Sequence, residues 1–221
     1  MTKKGLSPVR ILSLMKSQID FKAYIDRVEV DDPLRVLISI MLSARTKDEL
    51  TEEVSERLFS KYNSKELCEL PVSRIERLIY PVGFYRTKAR NIKKLCEVIN
   101  KEFSGVVPNN IDDLLKLPGV GRKTANLFLS VVHAQDRICV DTHVHRISNR
   151  LGIVKTKSPV ETEKVLERFF PKKLWKEINK VMVPFGKSIC KPVRPRCDIC
   201  KLKHYCKYYK NLKKELKNEG F

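Results

Sequence analysis

Four cysteines fall within 17 residues as Cys190-(x6)-Cys197-(x2)-Cys200-(x5)-Cys206, the densest set of soft ligands in the chain. No secretory signal precedes them and the chain reads as intracellular, where thiols at this density serve metals rather than disulfides. Structural zinc commonly takes two paired knuckles, and only one Cys-x-x-Cys occurs here. The compact span suits a cubane held by four thiolates, so the spacing favours iron–sulfur, with zinc as the alternative. Between the first two cysteines, Lys191-Pro-Val-Arg194-Pro-Arg196 would stand out as a rigid basic finger. Cys68, Cys96 and Cys139 sit in apolar contexts and read as small core residues.

A second chemical signal is Leu117-Pro118-Gly119-Val120-Gly121-Arg122-Lys123-Thr124-Ala125. An amphipathic segment runs into Pro-Gly-Val-Gly and a new apolar helix follows at once. Bare amides at Gly119 and Gly121, added to the positive end of that helix, suit a phosphate. Two helices joined in this way form a helix-hairpin-helix, here at about 111–133, which grips a DNA backbone without reading sequence. A ligand-free tight turn uses the same glycines, and it is the charge that favours DNA. Arg122 and the helix dipole both disfavour an ammonium at Lys123, which would leave a nucleophilic amine able to form a Schiff base. On local sequence alone Lys123 is first another phosphate contact. Asp141, in Val140-Asp-Thr-His-Val-His145, is first an N-cap and second a carboxylate able to stabilise developing positive charge. His143 and His145 point to different helix faces and form no ligand set.

The elements that must position these groups read as helices. Asp32 caps a helix with Pro33 at its first position, and Thr46-Lys-Asp-Glu49 has the form of a capping box. Further starts appear at Ser64, Pro71, Asn110 and Ser158. Strand-like alternation is scarce, and Ile138-Cys139-Val140 is short enough to be buried loop. The fold class expected is all-α, with the basic tail from Lys207 to Lys217 as a surface helix. Gly83-Phe-Tyr-Arg-Thr-Lys-Ala89 faintly echoes Gly119–Ala125.

Composition agrees. The 221 residues are 42% apolar with 8 glycines and 11 prolines, which excludes disordered and collagen-like classes. The longest apolar run, Val36 to Ala44, falls short of the roughly 18 residues of a membrane span, so no membrane partner is expected. Forty-five Lys and Arg against 26 Asp and Glu give +19, a field that favours a nucleic acid. From Lys187 to Lys217 eleven basic residues face two acids.

Leu-Pro-Gly-Val-Gly-Arg-Lys-Thr-Ala-Asn (117–126), Val-Asp-Thr-His (140–143) and the four-cysteine pattern, in this order and spacing, resemble the endonuclease III family of DNA glycosylases. The resemblance covers roughly Asp32 to Cys206. It implies a two-domain all-α protein with its active site in the cleft between domains. A six-helix barrel would span 30–137, and an iron–sulfur domain would combine 1–29 with 138–221. It implies a [4Fe-4S] cofactor on Cys190, Cys197, Cys200 and Cys206, and a monomer acting on damaged double-stranded DNA. The family excises oxidised or ring-saturated pyrimidines and then cuts 3′ to the abasic site by β-elimination. Lys123 matches its Schiff-base lysine and Asp141 its catalytic carboxylate. Gly119, Gly121, Arg122, Lys191, Arg194 and Arg196 fall where DNA would be held. Arg45 stands where the family usually has glutamine. Phe84 stands where it usually has an apolar wedge, often leucine, although barrel core accounts for a phenylalanine equally well.

Other readings remain. A glycosylase for mismatched thymine or uracil tends to lack the nucleophilic lysine, which is present here. The adenine-specific type usually carries a further C-terminal domain, whereas 15 residues follow Cys206. A non-catalytic DNA-binding module would be expected to have lost Lys123 or Asp141, and a zinc-ribbon RNA binder would lack an iron–sulfur chromophore.

Overall fold

A computed structural model describes residues 6–19 and 30–218 of the chain. Of the expected N-terminal contribution to the cluster domain, 1–5 and 20–29 lie outside the described residues. Helices account for all the regular structure among the described residues, and no strand occurs there. None of those helices is long and apolar enough to cross a membrane. The chain divides into two compact units, Ala23–Gln135 and Met1–Lys22 with Asp136–Phe221.

The first unit is built around α2 (Pro33–Ser43). Every residue from Val36 to Leu42 is buried, Ser39 included, so the apolar run is a central helix covered on all sides. Asp32 caps it, its Oδ1 accepting from the amides of Leu34 and Arg35, with Pro33 at the first helical position. Around it pack α3 (Asp48–Phe59), α6 (Tyr85–Glu102) and α8 (Arg122–Val132). The short α4 (Ser64–Glu69), α5 (Val72–Ile79) and α7 (Ile111–Leu114) complete the set. Leu37, Leu58, Ile75, Ile92 and Phe128 meet in the core.

Three local expectations change. Thr46 does not cap α3; the cap residue is Lys47, without a side-chain bond. The Thr46 hydroxyl is engaged elsewhere, donating to Ala44 O and accepting from Lys88 Nζ. The capping box of α4 belongs to Asn63 and Glu66, which frees the Ser64 hydroxyl to reach Asp32 Oδ2 at 2.5 Å. Cys68 and Cys96 are core residues as read, but their sulfurs are joined in a disulfide that staples α4 to α6.

The second unit gathers α1 (Pro8–Lys16), α9 (Thr142–Leu151), α10 (Pro159–Phe169), α11 (Trp175–Ser188) and α12 (Lys207–Asn218). Met15, Val144, Ile147, Leu166, Met182 and Phe185 form its core. The Ile138–Val140 patch is buried loop, because the Asn179 amide bonds both backbone groups of Cys139, at 2.9 and 2.5 Å, and so replaces a neighbouring strand. Trp175, the one tryptophan, donates its Nε1 to Phe170 O at 2.9 Å.

Candidate active site and cysteine pocket

The glycine turn between α7 and α8 uses its two glycines differently. Gly119 has φ +80°, and a Cβ there would lie 2.8 Å from Met41 Cε and 2.9 Å from Asn91 Nδ2. It is therefore required by both backbone conformation and space. Gly121 is extended, at φ −93°, and a Cβ on it would meet nothing within 4 Å. Only Gly119 needs a left-handed backbone; Gly121 keeps the approach to the start of α8 open. Val120 donates its amide to Leu117 O at 3.1 Å, which closes the turn, and Ala125 begins the ladder of α8 by donating to Gly121 O. The first amides of a helix have no partner within the helix, and at α8 the bare Gly121 stands next to them. Arg122 and Lys123 occupy the first two positions of α8 and are exposed.

Asp141 is the N-cap of α9 in the other unit. Its Oδ1 accepts from the amides of His143 and Val144, both at 2.9 Å, which fixes the carboxylate on the helix end. His143 packs over Gly186 of α11, where a Cβ would lie 2.6 Å from the imidazole Nδ1. Glycine is therefore needed inside this helix for α9 to approach so closely. Burial pushes the His143 imidazole below its ordinary value, against the pull of Asp141. The neutral ring takes a bond from Arg146 Nη2 at Nδ1 (3.1 Å). His145 turns instead to Thr162, Nδ1 to Oγ1 2.7 Å, so the two histidines serve separate packing roles.

Arg45 and Phe84 are brought together. Phe84 is 61% exposed, which removes the barrel-core reading. It is the N-cap of α6 with φ 59°, and Arg45, just past α2, has φ 55°. Both are left-handed non-glycine residues, a conformation that costs about 1–2 kcal/mol. The Arg45 guanidinium lies 5.2 Å from the Phe84 ring centroid, over its face.

The four cysteines line one open cavity of about 390 Å³, the space facing solvent included, together with Arg150, Tyr208 and Ile147. Among the described residues no group of three or more His, Cys, Asp or Glu is set to hold a single metal ion. Burial, then mutual repulsion of the sulfurs, pushes the Cys197, Cys200 and Cys206 thiols up, Cys200 to about 11. These three thiols would ionise together only around a cationic centre. Arg150 donates to Lys191 O (2.6 Å) and Pro192 O (2.8 Å), approaches Cys190 Sγ (3.6 Å) and stacks on Tyr208. Arg146 donates to Cys190 O from both Nε and Nη2. The loop is thus held by its carbonyls, with Lys191, Arg194 and Arg196 exposed.

Lys88, Arg146, Arg150 and Gly186 were not legible as site residues, although one signal was present for Lys88. It falls on the apolar stripe of α6 with Ile92, Leu95 and Ile99, where a cation is out of place.

Comparison with known proteins bears on these features together. The model of the HhH-GPD superfamily of base excision DNA repair proteins matches residues 38–172. Endonuclease III of Thermotoga maritima is 49% identical over 180 residues, covering 81% of this chain and 84% of that protein. Endonuclease III of Bacillus subtilis is 42% identical over 178 residues, covering 80% and 81%. A solved structure of a trapped endonuclease III–DNA covalent intermediate, an estranged-adenine complex, matches with a TM-score of 0.84 at 38% identity, over 94% of this chain and 99% of that one.

Proposed function

Because this chain belongs to the HhH-GPD superfamily of base excision DNA repair proteins, we propose that it is a DNA glycosylase and abasic-site lyase acting on oxidised or ring-saturated pyrimidines in duplex DNA. The observation that carries this reading is Lys123 in the first turn of α8, directly after the Pro-Gly-Val-Gly turn, in a chain 38% identical to a protein trapped covalently on DNA.

The damaged nucleotide leaves the stack, which costs least where pairing is already impaired. The amides at the start of α8, beside Gly121, hold a backbone phosphate, and Arg122 adds charge. As the glycosidic bond loosens, positive charge grows on the sugar and the Asp141 carboxylate stabilises it. The Lys123 amine attacks C1′ and the base departs with the bonding pair and a proton. The sugar ring then opens as the C1′–O4′ bond breaks and O4′ takes a proton, and the resulting iminium acidifies the C2′ proton; its removal drives the electron pair into a C2′–C3′ double bond and expels the 3′ phosphate. Phe84 fills the gap left in the stack, as apolar side chains do at kinked steps. Cys190, Cys197, Cys200 and Cys206 would hold a [4Fe-4S] cluster whose contribution is to fold the loop that presents Lys191, Arg194 and Arg196 to phosphates. The protein acts as a monomer on DNA.

Borohydride trapping on a thymine-glycol duplex tests this reading. Wild type should give a covalent adduct that Lys123→Gln abolishes and Asp141→Asn diminishes. Base release without an adduct would point to a monofunctional mismatch enzyme. Neither on any substrate, with duplex binding intact, would leave a binding module.

A further inference from the structure

Lys88 is a cation 8% exposed in the core of the first unit. Its ammonium donates to Leu42 O (2.7 Å), Ala44 O (2.6 Å) and Thr46 Oγ1 (3.1 Å). The two carbonyls belong to the end of α2 and the residue after it, where a helix leaves acceptors unpartnered and its dipole is negative. All three partners are neutral oxygens, so the lysine serves as a C-terminal cap. Its backbone reaches the opposite way: the Lys88 amide donates to Phe84 O at 3.0 Å. One residue therefore bonds both segments that carry the Arg45–Phe84 pair.

Those segments also abut directly. A Cβ on Gly83 would lie 2.6 Å from Arg45 O, so the turn before α6 lies against the turn after α2, backbone to backbone. Each turn contains one left-handed residue with a side chain, and such a residue persists only where its surroundings over-determine it. The bonds from Lys88 supply that constraint from both sides. On this basis we infer that Lys88 is a positioning residue: it locks the two left-handed turns together so that Arg45 and Phe84 meet a duplex as one preassembled pair. The inference rests on the proposed function, since it gives that pair a gap in a duplex to fill.

The test uses a duplex with tetrahydrofuran as a non-reactive abasic site and 2-aminopurine opposite it. The signal then depends on unstacking and not on the Schiff base. Wild type should bind this duplex in preference to an undamaged one and raise the 2-aminopurine fluorescence. Lys88→Met should weaken binding about tenfold, the order expected for losing one charge-assisted hydrogen bond, and dampen the fluorescence rise. Thr46→Val, which removes one of the three partners and leaves the lysine in place, should act in the same direction to a smaller extent. In a Phe84→Ala background, Lys88→Met should change binding by less than about twofold, because coupled residues are non-additive. Equal losses in both backgrounds would make Lys88 a general structural lysine and overturn the inference, as would no loss in either. A wild-type protein with no preference for the abasic duplex would instead refute the proposed function, and the inference with it.

Discussion

Replacing Asp141 by asparagine and by alanine separates its two duties. Its Oδ1 accepts from two backbone amides at 2.9 Å, so it is a working N-cap. An asparagine oxygen keeps that role, and the cost should be a few tenths of a kcal/mol; alanine should cost about 1–2 kcal/mol. In a chain of this size about 1 kcal/mol corresponds to roughly 2–4 °C in Tm. Trp175 lies in the same unit, so tryptophan fluorescence during thermal unfolding reads the difference directly. On the proposed reading both variants lose the negative charge that stabilises the departing sugar, and single-turnover base release should fall by about 10²–10³ in each. The pattern expected is unequal stability with equal catalytic loss. If Asp141→Asn released base at near wild-type rate, the charge would play no part and Asp141 would be a cap only. If the two variants unfolded at the same temperature, the cap would contribute nothing and the assigned backbone bonds would be wrong.

The glycine turn gives a paired prediction. Gly119→Ala meets both a left-handed backbone and Met41 and should lose about 1–3 kcal/mol of stability. Gly121→Ala should change stability by less than about 0.5 kcal/mol yet weaken duplex binding, measured by anisotropy; equal melting temperatures would refute the distinction. Reducing Cys68–Cys96, which are 28 residues apart, should lower the stability of the first unit by about 3–4 kcal/mol, with no reductant effect in a Cys68→Ala/Cys96→Ala protein. Burial lowers the Lys88 ammonium from 10.5 to about 8. Between those values the unfolded chain holds a proton that the native chain has released. The lysine's contribution to unfolding free energy therefore rises with pH across that window, and denaturant titrations against Lys88→Met should show it. The clamp itself needs the charged form, so the Lys88-dependent part of abasic-duplex binding should fall as pH passes about 8.

Helix starts were legible where the signal is local. Asp32, Asn110 and Ser158 each cap the helix that their sequence announces, because a side-chain oxygen and an amide two or three residues on are covalently close. Thr46 carried the same signal and failed, since an ammonium 42 residues away took its oxygen. The bond between Cys68 and Cys96 was hidden for the same reason: helical context predicts burial but not which sulfur another faces. Phe84 was balanced between core and wedge, because an aromatic residue after a glycine does not announce a left-handed backbone. Lys88, Arg146 and Arg150 act on backbone carbonyls, groups that every residue has and no sequence pattern marks. The glycine turn before α8 and the Asp141 cap of α9 were legible because each forms within a single turn.

The tethering of the Cys190–Cys197 loop has a thermodynamic consequence. Arg146 and Arg150 fasten its carbonyls within the free protein, so its shape is set before any phosphate arrives. A segment that folds on contact with DNA buries apolar surface and orders its chain together, and calorimetry registers this as a large negative heat-capacity change. This loop has little left to order, and the groups it presents are cationic. On the proposed reading, in which it meets phosphates, its share of association should therefore be nearly temperature-independent in enthalpy and driven by ions leaving the DNA, with its specificity invested in shape before the encounter.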